Sequence, residues 1–193
     1  MKLIQIITIL SLILFLVSCG SGSGGEKLNT AKFETNHGYF TIELFTDTMP
    51  VTTANFIKLA SEGFYDGQRF HRIIGPRKAP PSGFMIQGGD PLSRDTASRS
   101  AWGTGGPGYN IKDEFTENNQ NNAGTISMAN AGPNTGGSQF FINLGNNNFL
   151  DSKHPVFGKV TEGMNIVKKI GDVDTDARDA PLEDVIIEKV TLS

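Results

Sequence analysis

The chain of 193 residues has a single cysteine, Cys19, and a single tryptophan, Trp102. A lone cysteine cannot form an internal disulfide, so a disulfide scaffold is excluded, and a leftover thiol in an exported chain calls for modification. Histidine is scarce too. His37, His71 and His154 stand far apart, with no carboxylate or thiol at ligand-like spacing, so neither a metal nor another cofactor is expected. Charge of one sign is also missing: 17 Lys and Arg face 20 Asp and Glu, without a basic cluster, which argues against nucleic acid as a partner. No internal repeat occurs, and the longest apolar stretch, Leu3 to Val17, is shorter than the roughly 18 residues a permanent membrane span needs.

That stretch follows Lys2 and ends in Leu16-Val17-Ser18-Cys19, the pattern of a secretory signal peptide over residues 1–18. LVSC resembles the lipobox of bacterial lipoproteins, which implies lipidation of Cys19 and anchorage of the protein to a membrane of the bacterial envelope. Gly20 to Gly25, GSGSGG, offers no side chains for a core and reads as a flexible tether, here assigned with Cys19 to residues 19–30. Residues 31–193 are of ordinary size for one domain.

Within that domain, Phe33–Asn36 and Tyr39–Phe45 flank the turn signal Asn36-His37-Gly38 and read as a hairpin. Pro50 opens a helix in which Val51, Ala54, Ile57 and Ala60 recur at helical spacing before Gly63. Met164, Val167 and Ile170 repeat the pattern before Gly171, and Val185–Leu192 reads as a terminal strand. Short strands, Gly- and Asn-rich turns and only two helices indicate a mainly β barrel or sandwich.

Two stretches carry residues that strand burial does not require. In FHRII, Arg72 projects opposite His71 and Ile73; in the strand Gly83–Gly88, Met85 and Gln87 share one face and Phe84 and Ile86 the other. In SQFFINL, Phe140, Ile142 and Leu144 face one way while Phe141 sits among Gln139 and Asn143, an aromatic on a polar face that can floor a pocket. Other motifs fail their context. Gly103, Gly105 and Gly108 satisfy the dinucleotide-binding spacing, but no strand precedes them and Pro107 interrupts, so Trp102–Tyr109 reads as a groove rim. Ser138 and His154 lack the nucleophile elbow of a hydrolase.

FHRII, GFMIQGGDP, GTISMANAGPNTGGSQFFI and KHPVFGKV, in that order, resemble the signature segments of the cyclophilins, which are peptidyl-prolyl cis-trans isomerases. The resemblance implies an eight-stranded antiparallel closed barrel capped by two α-helices. It also implies rotation about X-Pro bonds in extended or unfolded polypeptides, by a monomer without a cofactor. It makes Arg72 the catalytic residue, Phe84, Met85, Phe141 and Leu150 the prolyl pocket, and Gln87 and Asn130 the partners of substrate backbone. Ala129, Gln139, Phe149 and His154 complete the groove. Phe149 stands where many relatives carry tryptophan, a residue on which their sensitivity to cyclosporin partly depends. A module that binds proline segments without catalysis is the alternative. The chain departs from the family at Gly75–Ser82, an insertion expected to form a stiff exposed loop beside the groove.

Overall fold

The computed structural model describes residues 28–193, so the leader, Cys19 and the glycine tether lie outside the described residues. Strand β1 (Thr30–Thr35) and β2 (Gly38–Leu44) form the expected hairpin, with Thr35 Oγ1 donating to the Gly38 carbonyl at 2.6 Å. Gly38 has φ 125°, and a Cβ there would stand 2.9 Å from Ile166, so the turn needs glycine on both counts. Helix α1 (Pro50–Ser61) follows, then β3 (Arg72–Ile74), β4 (Met85–Gly88), β5 (Thr125–Met128), β6 (Phe140–Asn143) and β7 (Val156–Glu162). Helix α2 (Met164–Gly171) and β8 (Ile187–Leu192) complete the chain, and three short 3₁₀ turns lie at Pro91–Arg94, Thr96–Ala101 and Asn148–Leu150.

All pairings are antiparallel, in the order β3-β4-β6-β5-β7-β2-β1-β8. The sheet curls round a core of Phe33, Phe40, Phe56, Tyr65, Phe70, Phe140 and Phe157, all fully buried. Phe33 and Phe40 stack at 4.9 Å, and Phe140 meets Phe33, Phe56, Tyr65 and Phe70 edge-on. Rings packed edge to face gain more than their area alone provides.

The expected closed barrel is corrected to a curled sheet with a seam. β3 and β8 are its two outer strands, joined through the single bridge Arg69–Ile186 and a few backbone bonds such as Phe70 N to Val185 O at 2.9 Å. The cause is local: the Ile73 amide, which a closing ladder would need, donates instead to the Asp179 carbonyl at 2.7 Å.

The face of α1 is a second correction. Val51 and Ala54 are exposed, and the helix buries Thr52, Thr53, Asn55, Phe56, Leu59 and Ala60. Its first amides are capped from a distance, with Glu114 accepting from Val51 N at 3.2 Å and Thr52 N at 3.0 Å. In α2, Val167 and Ile170 are buried as expected.

Candidate active site

Register across four strands builds one row of side chains on the outer face of the sheet. Arg72 pairs with Gln87, Gln87 with Phe141, and Phe141 with Ser127. Ile73 is wholly buried, so strand alternation turns Arg72 outward, and it remains exposed at the edge of a pocket of about 250 Å³. The pocket is lined by Arg72, Phe84, Met85, Gln87, Ala129, Asn130, Phe141, Leu150 and His154. These residues come from five separate stretches of the chain, and each belongs to the set expected from sequence. Met85, Phe141 and Leu150 form its apolar bottom, with Phe84 and Ala129 packed against them.

Phe84 departs from the expected alternation. It was placed on the Ile86 face, yet it lines the pocket with Met85, because β4 begins only at Met85 and the preceding residue is free of the strand's period. Its backbone is nevertheless fixed, donating to Ile74 O at 2.7 Å and accepting from Leu144 N at 3.0 Å.

Gln139 and Phe149 do not line this pocket. Gln139 braces it: its Oε1 accepts from Gln87 Nε2 at 3.0 Å, and its Nε2 donates to the carbonyls of Gly103 and Gly105. It thereby fixes the Gly-rich rim, which opens into an adjoining cavity of about 850 Å³ bordered by Gly103–Asn110 and sharing Gln87, Ala129 and Asn130 with the pocket. Phe149 is 67 % exposed and stacks on Phe84 at 5.8 Å, forming an outer shelf. The Asn130 side chain ties its loop to a second one, donating to Lys153 O at 2.8 Å and accepting from Gly132 N. His154 meets Phe141 edge-on at 5.3 Å, and its Nδ1 lies 3.0 Å from the Met128 carbonyl, which fixes a protonated Nδ1.

A buried polar network behind the pocket escaped the sequence reading. Asn121, Ser127 and Asn143 are completely buried, with Ser127 Oγ donating to Asn121 Oδ1 at 2.7 Å and Asn143 Nδ2 to Thr125 Oγ1 at 2.9 Å. Asn147 donates to Phe84 O and Asn143 Oδ1, both at 2.8 Å, tying the Phe84 backbone to the segment that carries Leu150. Asp151 Oδ1 accepts from Asn121 N and Nδ2, while Asn119 Nδ2 donates to the Asp151 and His154 carbonyls. Burial alone would raise the Asp151 pKa, but the bonds from Asn121 and Asn148 outweigh it and hold the carboxyl below its usual range. The asparagine runs at 118–122 and 146–148 were the available signal, since short amides in series can satisfy one another where loops are buried.

Arg72 has a partner that sequence could not show. Its Nε lies 3.4 Å from Asp179 Oδ2, across 107 positions of chain. His71, the residue just before β3, is buried with neither ring nitrogen hydrogen-bonded, and burial lowers its pKa to about 4. It stays neutral at ordinary pH and adds no second positive charge beside Arg72. The insertion leaves β3 at Gly75, where a Cβ would come within 1.8 Å of the Gly171 carbonyl, and it lies along residues 172–179. Arg77 pairs with Asp174 at 2.9 Å and also bonds the Asp172 carbonyl, so the loop is docked beside Arg72.

Residues 30–192 match the family model described as cyclophilin type peptidyl-prolyl cis-trans isomerase/CLD. The chain is 45 % identical over 157 residues to peptidyl-prolyl cis-trans isomerase-like 1 of Neurospora crassa, covering 81 % of this chain and 89 % of the relative. To the protein of that name from Rhizopus delemar it is 48 % identical over 147 residues, 76 % and 82 % of the two lengths. A crystal structure of a Cryptosporidium parvum cyclophilin type peptidyl-prolyl cis-trans isomerase superposes with a TM-score of 0.75 at 30 % identity, covering 86 % of this chain and 98 % of that one. A second structure of that protein, obtained in the presence of the dipeptide Ala-Pro, gives 0.74. An eight-stranded curled sheet, an outward arginine at the rim of an apolar pocket and a family match across nearly the whole described chain agree: the chain belongs to the cyclophilin-type peptidyl-prolyl cis-trans isomerases.

Proposed function

We propose that Arg72 is the group through which this peptidyl-prolyl isomerase lowers the barrier to X-Pro rotation. That barrier is about 18 to 20 kcal/mol, because the nitrogen lone pair is delocalised into the carbonyl. In the twisted state the lone pair returns to nitrogen and accepts a hydrogen bond. A donor fixed at that point favours the transition state over either planar isomer. The guanidinium stays charged and presents its donors in a rigid plane. The observation that carries this reading is the outward Arg72 beside a pocket of about 250 Å³ floored by Met85, Phe141 and Leu150. That volume is below the roughly 300 to 1,000 Å³ of sites for whole drug-sized ligands, so it suits one ring held still while the carbonyl side turns. No nucleophile or metal is required. The substrates are extended proline-containing polypeptides, whose flanking backbone Gln87 and the Asn130 loop would bind, and the enzyme acts as a monomer.

The same reading places the enzyme on a membrane of a bacterial envelope, held by lipid on Cys19 and the GSGSGG tether and assisting the folding of exported chains. It is supported by the leader's charge, its apolar run and LVSC.

Arg72→Ala tests the catalytic role in the full chain by NMR exchange on a proline peptide. The expected loss is about 100- to 1,000-fold in catalysed rate with circular dichroism unchanged, while groove binding of the peptide largely survives. Equal rates in the folded wild type and variant would refute the role of Arg72.

A further inference from the structure

Two cations converge on one carboxylate at the edge of the pocket. Asp179 Oδ2 faces Arg72 Nε at 3.4 Å, while Asp179 Oδ1 lies 2.8 Å from Lys78 Nζ. Lys78 belongs to the inserted connection, and its ammonium also donates to the Asp176 carbonyl at 2.7 Å.

The backbone of Asp179 is held independently of these ion pairs. Its φ is 66°, its amide donates to Asp176 O at 3.1 Å, and its carbonyl accepts from Ile73 N at 2.7 Å. The Asp176 side chain accepts from the amides of Arg178 and Ala180, and the bridge Thr175–Pro181 closes the turn. One residue thus bonds the main chain of β3 and, next door, the side chain that β3 projects into the groove.

A half-exposed arginine samples many rotamers, whereas a transition-state donor is effective only at a fixed point. Nε is the donor nearest the chain. An acceptor there sets the plane of the guanidinium. Occupation of Oδ1 by Lys78 stops the carboxylate rotating and offsets part of its charge, so Arg72 keeps its positive field in the groove.

We infer that Asp179 is a positioning residue for Arg72 and that Lys78, supplied by the insertion, holds the Asp179 carboxylate in the orientation that does so. The inference rests on Arg72 being the catalytic donor, and the experiment separates the two. Catalysed exchange and peptide binding are measured on the full chain for wild type, Asp179→Asn, Lys78→Ala, Arg72→Ala and the double variants. Asparagine tolerates the left-handed backbone at 179, and Arg77 keeps the loop docked when Lys78 is cut back.

Asp179→Asn is expected to lower kcat/KM about tenfold through kcat, with KM and ground-state peptide binding within about twofold. Lys78→Ala costs about threefold, adds nothing in the Asp179→Asn background, and Asp179→Asn adds nothing in the Arg72→Ala background. Three results would overturn the inference. If Arg72→Ala is crippled while Asp179→Asn stays within about twofold of wild type, Asp179 does not position the arginine. If the Asp179→Asn loss persists undiminished without Arg72, its role is structural. If Arg72→Ala turns over like wild type, the inference fails together with the catalytic reading beneath it.

Discussion

Asn121→Ala tests whether hydrogen bonds, rather than apolar packing, hold the wall of the pocket beside Arg72. The Asn121 side chain is fully buried; it accepts from Ser127 Oγ at 2.7 Å and donates to Asp151 Oδ1 at 3.1 Å, with longer contacts to Asn143 and His154. Alanine removes both ends of the amide. The buried Ser127 hydroxyl then loses its acceptor, and Asp151 loses one of the donors that lower its pKa. Leaving a buried polar group unmet costs about 1 to 3 kcal/mol, and the void left by the amide adds to it, so the domain should be destabilised by about 2 to 4 kcal/mol. The backbone bond from Asn147 N to Asn121 O survives, so the loop should stay in place rather than unfold. For a domain of this size, each kcal/mol lowers Tm by about 2 to 4 °C, so the melting point should fall by about 5 to 15 °C. Urea unfolding supplies the free energy. Catalysed exchange should fall several-fold as Leu150 and His154 lose their brace. Asn148→Ala, an exposed neighbour, should cost less than about 0.5 kcal/mol. A stability loss under about 1 kcal/mol for Asn121→Ala, with unchanged turnover, would show that the network is not what holds the wall.

Stability should fall with pH through His71. Its folded pKa of about 4 lies below the ordinary 6.5, so the unfolded chain binds the extra proton; stability is complete above 6.5, declines as pH falls, and bottoms out below about 4. The full effect is on the order of 3 kcal/mol, and His71→Leu should flatten urea midpoints across that window; an unchanged slope would assign it to other groups. Phe149→Trp should bind cyclosporin about tenfold more tightly than wild type, by supplying one donor and a larger ring, with little change in turnover because Phe149 lies outside the pocket lining. Equal affinities measured by titration would move attention to the Gly75–Ser82 loop. Cys19→Ser should shift the protein from the membrane fraction to the soluble one, and wild type found soluble with an unmodified Cys19 would remove the anchor.

Strand alternation was enough to place Arg72, Met85 and Phe141 correctly, because each lies inside a strand whose other face is core. Alternation alone misplaces Phe84, which the resemblance puts in the pocket, because it stands one residue before β4, where no period applies. On α1, the apolar series Val51, Ala54, Ile57 competed with a series containing Thr52, Thr53 and Asn55, and the polar one is buried. Thr53 Oγ1 donates to Met49 O, Asn55 Nδ2 to Gly137 O, and Tyr109 to Asn55 Oδ1. Polar side chains that find partners inside the fold, as Thr53 and Asn55 do and Thr52 Oγ1 does not, cost little to bury, and nothing in a hydropathy pattern announces those partners. Asp179 was invisible for a different reason, since it meets Arg72 only through the return of a loop more than a hundred residues later.

The seam between β3 and β8 gives the molecule a weak meridian. Seven junctions of the sheet are ladders, but this one is stitched by a few backbone bonds and by the Arg69 side chain, which reaches Asp184 at 2.7 Å and the Ser93 and Arg94 carbonyls. A fluctuation that parts the seam need break few bonds, and it would free the root of the strand bearing Arg72 without disturbing the aromatic core. Amide protons at Gly67, Phe70 and Ile187 should therefore trade with solvent deuterium ahead of those in β5 and β6, and β3 would be the first part of the sheet to loosen.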